Sequence, residues 1–167
     1  APLRPGGANR LAAGVLSCFA FPASMLRFPG ALRRTILVGK PRDEWVRAAE
    51  ACIGAVEAAL ETIKPGATPH EADTAARAVT RKAGFGDYHR NRLGYSIGIS
   101  YPPDWGERTI SFRRSDESVL EPGMTFHFMP GLWMDDWGLE ITESFLICED
   151  GPAETLANYP RKLFVKP

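Results

Sequence analysis

The densest gathering of groups able to do acid–base chemistry lies in residues 93–147. His127 stands in the run Thr125-Phe126-His127-Phe128-Met129. Period-two alternation puts His127 with Thr125 and Met129 on one face, and Phe126 with Phe128 on the other. Two phenylalanines mark their own face as core, so His127 faces whatever lies opposite. The residues alone leave a structural and a proton-transferring histidine equally open. Glu140 and Glu143 flank Thr142 in a run that ends Phe145-Leu146-Ile147. A carboxylate in a buried strand needs a charged partner or a chemical task, because desolvation is otherwise costly. Alternation places Glu140 with Thr142 and Glu143 on the other face, unless a bulge intervenes.

The loop at 131–138, G-L-W-M-D-D-W-G, carries Trp133 and Trp137 beside Asp135 and Asp136. Aromatics clustered with carboxylates form boxes for small cations. Tryptophans that seal a loop onto the core would give the same pattern. The segment 101–108 is similar in kind: it offers Asp104 and Trp105, and Arg108 for a substrate carboxylate. His70, in a helix first turn, and His89, in a charged run read as a solvated loop, carry weaker signals.

The elements that must position these groups occupy the rest of the chain. At 167 residues, with 44% hydrophobic and 24% charged side chains, the composition is that of one ordinary globular domain. Twenty basic residues balance twenty acidic ones, so no field points to nucleic acid or to an anionic membrane. Three widely spaced cysteines, Cys18, Cys52 and Cys148, argue against a disulfide framework or zinc cluster and suit a reducing cytoplasm. The apolar run at 11–21 follows Arg4 and Arg10 in the manner of a secretory signal. It is too short to span a bilayer, and a buried strand or hairpin is the preferred reading.

Residues 1–16 form an irregular lead-in, and 17–167 form the domain proper. Strands at 17–23 and 31–38 are predicted to make a hairpin through Pro29-Gly30. Apolar residues Trp45, Val46, Ala49, Ile53, Val56, Leu60 and Ile63 recur at helical spacing after a cap at Asp43. Thr68-Pro69-His70-Glu71 is a capping box that opens a second helix, ending at Gly84. Strands follow at 96–101, 109–112, 125–129 and 140–148, with one more within 155–165. Two helices followed by several strands predict an α+β fold, with helices on one face of a mainly antiparallel sheet.

Four separated motifs carry a resemblance that covers residues 17–167. They are Arg34-Thr35 before Val38-Gly39-Lys40-Pro41, Ile63-Lys64-Pro65-Gly66-Ala67-Thr68, Gly94-Tyr95-Ser96-Ile97-Gly98, and Leu120-Glu121-Pro122-Gly123-Met124. In this order they resemble the creatinase/aminopeptidase P family, the pita-bread fold of methionine aminopeptidases, prolidases and creatinase. The wording of 95–105 and 126–147 looks most like the ectoine hydrolases of that family. The resemblance implies a partial pita-bread domain, with the separate N-terminal domain absent and a curved, mainly antiparallel sheet.

The family's peptidases hold two metal ions through two aspartates, one histidine and two glutamates. Motif alignment sets Ala20, Ala31, Tyr95, Met129 and Thr142 in those five places. The resemblance therefore implies no metal and no other cofactor. It implies a metal-independent hydrolase of C–N bonds in a cyclic amidine, acting on a small zwitterionic or cationic substrate. Glu140 or Glu143 would be the base and amidinium holder, His127 the proton-transfer group, and Tyr95 a hydrogen-bond donor to the intermediate. Trp133, Asp136 and Trp137 would enclose the substrate, with Asp104, Trp105 and Arg108 beside it. A creatinase-like amidinohydrolase, a prolidase-like peptidase and an inactive truncated homologue serving as a binding or assembly module are the rivals. Relatives of this family commonly form homodimers, and a homodimer is carried over as an expectation.

Overall fold

A computed structural model describes residues 11–99 and 106–167. Ten strands and two helices follow in the order β1 Leu16–Met25, β2 Phe28–Val38, α1 Asp43–Thr62, α2 Pro69–Lys82, β3 Gly94–Ile97, β4 Ser111–Phe112, β5 Thr125–Phe128, β6 Leu132–Trp133, β7 Gly138–Leu139, β8 Glu143–Leu146, β9 Glu154–Thr155 and β10 Phe164–Lys166. The predicted α+β content and the mainly antiparallel pairing are both present.

β1 and β2 form a long antiparallel hairpin. Its turn is not at Pro29-Gly30. Leu26 and Arg27, at φ of +50° and +70°, make a two-residue turn whose twist matches the flanking strands. Pro29 and Gly30 instead pair with Ser24 and Ala23 inside the ladder. Proline is tolerated there because β10 flanks β2 only at Ile36–Val38, leaving that side of β2 unpaired near the tip. β10 runs parallel to β2 and ties the C-terminal segment to the hairpin.

The helices form as their patterns dictate, with one change at the start. Arg42, not Asp43, occupies the cap of α1, and Asp43 and Glu44 lie in the first turn, where they favour the helix dipole. The α1 face turned inward is mostly small: Ala48, Ala49, Ala51, Cys52, Ala55 and Ala59 are buried. Small residues let α2 approach closely, and a methyl on Gly54 would stand 3.1 Å from a Val79 methyl. The capping box of α2 is complete: Thr68 Oγ1 accepts from the Glu71 amide, and the Glu71 carboxylate accepts from Thr68. That box is worth about 1 kcal/mol.

Both helices cover one face of the five-stranded sheet β4-β3-β5-β8-β9. The contact is aromatic. Phe112, Phe126, Phe128 and Phe145 pack with ring centroids 5.1–6.0 Å apart, joined by Ile63, Leu93 and Leu120. Phe126 and Phe128 thus face the core as alternation requires. Cross-strand register lines up Tyr95, His127 and Ser144 on the second face, against the hairpin, where Ser144 Oγ donates to the Ala31 carbonyl at 2.8 Å.

The strand expected at 140–148 begins only at Glu143. Residues 140–142 direct their backbone groups to β2 instead. Glu140 N–H donates to Thr35 Oγ1 and Thr142 N–H to the Arg33 carbonyl. The Trp/Asp-rich loop holds a small two-stranded ribbon, β6-β7. Among the described residues no helix is long and apolar enough to cross a membrane.

Candidate active site

Two consecutive arginines on β2 organise the second face of the sheet. Side chains of adjacent strand residues project to opposite sides, so Arg33 and Arg34 reach different carboxylates. Arg34 is 1% exposed and pairs with the equally buried Glu143 at 2.5 Å. The same guanidinium donates to the carbonyls of Pro160, Tyr159, Thr142 and Arg33. Burial raises the Glu143 carboxyl above the usual range while Arg34 pulls it back. This pair clasps the C-terminal segment to the sheet.

Arg33 takes Glu140. Nη1 lies 2.8 Å from Oε2, with side chains 17% and 3% exposed. Together with Asn91, Arg92, Met129 and Trp133 they line a cavity of about 70 Å³, in which Glu143 has no part. The buried Arg33 Nε has no hydrogen-bond partner. Burial pushes the Glu140 carboxyl upward, and the charge of Arg33 opposes the shift. The Cys18 thiol lies 3.9 Å from Oε2 on the hairpin side.

Behind this wall His127 is fully buried and held at both nitrogens. Nδ1 is 2.9 Å from Tyr95 Oη and Nε2 is 2.8 Å from Thr142 Oγ1. Burial, with Arg33's charge as a second cause, pushes the imidazole down to about 3, so it is neutral near pH 7. Arg33 N–H donates to Thr142 Oγ1 at 2.8 Å. With the Arg33 amide already donating to Thr142 Oγ1, the tautomer that keeps the Thr142 proton in use has Thr142 donating to Nε2 and Nδ1–H donating to Tyr95 Oη. The Tyr95 ring meets the imidazole edge-on at 5.3 Å. Arg92 lies over that ring at 4.8 Å and donates to Ser111 Oγ at 2.9 Å.

The tryptophans part company. Trp133 lines the cavity and lies across Gly131 and Gly138, where any side chain would collide with its ring. Trp137 instead stacks edge-on against Trp45, centroids 6.4 Å apart, and seals the ribbon onto α1. Asp136 is exposed, and Asp135 pairs with Arg90 at the surface. The expected box of two tryptophans and an aspartate is therefore not assembled among the described residues. Arg108 is exposed in a left-handed backbone conformation, φ +60°. Asp104 and Trp105 lie outside the described residues. His89 is more than a solvated loop residue. Its nitrogens meet Thr80 Oγ1 and the Gly131 carbonyl, pinning the 87–92 loop between α2 and the ribbon.

Arg33 and Arg92 were not singled out from sequence. A signal existed for Arg33: two charges side by side in A-L-R-R-T-I-L-V answer two carboxylates in another apolar run. Arg92 offered no comparable pattern.

The five places that carry metal ligands in the peptidases hold two methyl groups, a thioether and two hydroxyls already engaged with His127. Such a set does not fit a hard divalent cation, which takes oxygen and nitrogen donors. Among the described residues no group of three or more His, Cys, Asp or Glu is placed to hold a metal ion.

The fold is that of a pita-bread domain. The chain belongs to metallopeptidase family M24, whose model matches residues 3–149. It is 57% identical over 140 residues to the ectoine hydrolase of Halomonas elongata, covering 84% of this chain and 35% of that protein. It is 33% identical over 133 residues to the Xaa-Pro dipeptidase of Pyrococcus furiosus, covering 79% of this chain and 36% of that one. The dipeptidase PepE of Mycobacterium ulcerans superposes with a TM-score of 0.85 at 26% identity, over 95% of this chain and 42% of that structure. The chain thus spans about a third of the length of the curated relatives it matches.

Proposed function

We propose that this chain is the catalytic-type portion of a hydrolase that opens a C–N bond of a cyclic amidine, ectoine first, with no resident metal ion. Glu140 is the observation that carries the reading. It is a buried carboxylate with a raised pKa, set by Arg33 on the wall of a small cavity. The likeness to the Halomonas ectoine hydrolase supports the choice of substrate.

The chemistry needs no Lewis acid, because an amidinium carbon is already cationic. Glu140 accepts a proton from water as the water oxygen bonds to that carbon. It then returns that proton to one ring nitrogen as the C–N bond breaks, and the intermediate's hydroxyl proton passes through the carboxylate to the freed amine, leaving an amide and an ammonium group. A base raised toward neutral pH suits this exchange, and acid–base help of this kind contributes about 10²–10⁴-fold. Tyr95 donates a hydrogen bond to the tetrahedral intermediate. His127, neutral and bonded at both nitrogens, acts through Tyr95 by holding its hydroxyl. Glu143 is tied to Arg34 and holds the fold, which leaves Glu140 as the base. Support for metal independence comes from the donor set at the five ligand positions.

The test is turnover of ectoine, creatine and an Xaa-Pro dipeptide by the purified chain, once after exhaustive chelation and once with Mn²⁺ added. Ring opening of ectoine at the same rate in both conditions is expected. Dipeptide cleavage that appears only with Mn²⁺, with ectoine untouched, would return the chain to the peptidases. Ectoine bound but never opened would favour a binding module.

A further inference from the structure

The small cavity shares Asn91, Arg92 and Met129 with a groove of about 860 Å³ on the protein surface. Among the described residues five arginines line that groove against one aspartate, Asp87, in a chain whose net charge is zero. Most of these cations are answered or lie in open solvent. Arg77 pairs with Asp73 and Arg90 with Asp135, while Arg113 and Arg114 are exposed. Arg92 differs from all of them. It is half-buried, it belongs to both the groove and the inner cavity, and its two partners, the Tyr95 ring and the Ser111 hydroxyl, are neutral. No carboxylate among the described residues balances it.

Among the described residues the inner cavity thus carries two guanidinium groups and one carboxylate, an excess of one positive charge. A ligand whose amidine reaches Glu140 lies beside Arg92, which lines the same cavity and the groove outside it. A half-buried guanidinium without a counter-ion favours an anion there, and its planar fork matches a carboxylate.

We propose, resting on the cyclic-amidine reading, that Arg92 is the specificity-determining residue. It holds the substrate's carboxylate at the groove mouth while Glu140 holds the amidine. Arg108, at the exposed loop, is not needed for that task. The preferred ligands are cyclic amidines bearing a carboxylate on the ring, and amidines without one are discriminated against.

The experiment compares two probes by calorimetry and by turnover: ectoine, and the same ring without its carboxylate, 2-methyl-1,4,5,6-tetrahydropyrimidine. A charge-assisted bond of this kind corresponds to about a 10–100-fold preference for ectoine. Arg92→Gln should bring the two dissociation constants to within about threefold, and Arg92→Lys should restore part of the preference. Melting temperatures of both variants show whether the stacking on Tyr95 has been lost with the charge. Equal binding of both probes by the wild type, binding of neither, or an Arg92→Gln variant that keeps the full preference would each overturn the proposal. Failure of the hydrolase reading looks different: ectoine binds with the Arg92-dependent preference and no ring-opened product forms.

Discussion

Arg33–Glu140 and Arg34–Glu143 are the same chemical pair, made by neighbouring residues of one strand, and they have opposite characters. The second is sealed at 1% exposure on both sides, its guanidinium also donates to four carbonyls, and only Glu143 Oε2 is left without a partner, away from the cavity. The first borders a cavity, leaves Nε unsatisfied and keeps 17% of the Arg33 side chain accessible. Ion pairs buried with every donor used hold structure, because removing one partner strands a charge. A pair with an unused donor beside a cavity is poised for a ligand. The difference separates scaffold from site across a single peptide bond.

Four substitutions would break or sharpen this contrast. Glu143→Gln should cost about 3–5 kcal/mol of stability in urea unfolding, as expected for a buried pair that loses one charge. A loss under 1 kcal/mol would mean that the clasp is not structural.

His127 gives a pH signature on the site side. Its pKa is held at about 3 in the folded chain, against an ordinary value of 6.5. Below pH 6.5 the unfolded chain takes up a proton that the folded one refuses. Stability from this group is therefore full above 6.5 and lost as pH falls toward 3, by up to roughly 4–5 kcal/mol. In His127→Phe the slope of stability against pH over that window should flatten, whatever the variant's absolute stability. An unchanged slope would contradict the buried neutral imidazole.

Gly138→Ala places a methyl into the Trp133 ring and should cost about 1–3 kcal/mol while shifting Trp133 fluorescence. Thr68→Ala, in the α2 cap far from both pairs, should cost about 1 kcal/mol and leave ectoine turnover alone.

Much of the scaffold was legible because local patterns decide it. The Thr68–Glu71 box, the apolar spacing of α1 and the Phe126/Phe128 alternation each specify their element without outside help. The hairpin turn was misplaced because Pro29-Gly30 is a stronger local turn signal than Leu26-Arg27, and only the tertiary register shows which one bends. The site was legible in its carboxylates and histidine but not in their partition. Whether Glu140 or Glu143 faces the cavity depends on which of two adjacent arginines each one meets, and those lie more than a hundred positions earlier. Trp137 was read together with Trp133 because they share a loop. In the fold, the β6-β7 ribbon sends one toward the cavity and the other toward α1.

The account turns on Glu140 as base and Glu143 as clasp, and ectoine turnover by the two glutamine variants tests it most directly. Glu140→Gln should fall by about 10²–10⁴-fold while remaining folded. Glu143→Gln should keep its turnover once corrected for the folded fraction. A folded Glu140→Gln chain that opens ectoine at the wild-type rate, or a folded Glu143→Gln chain that loses as much as Glu140→Gln should, would contradict it.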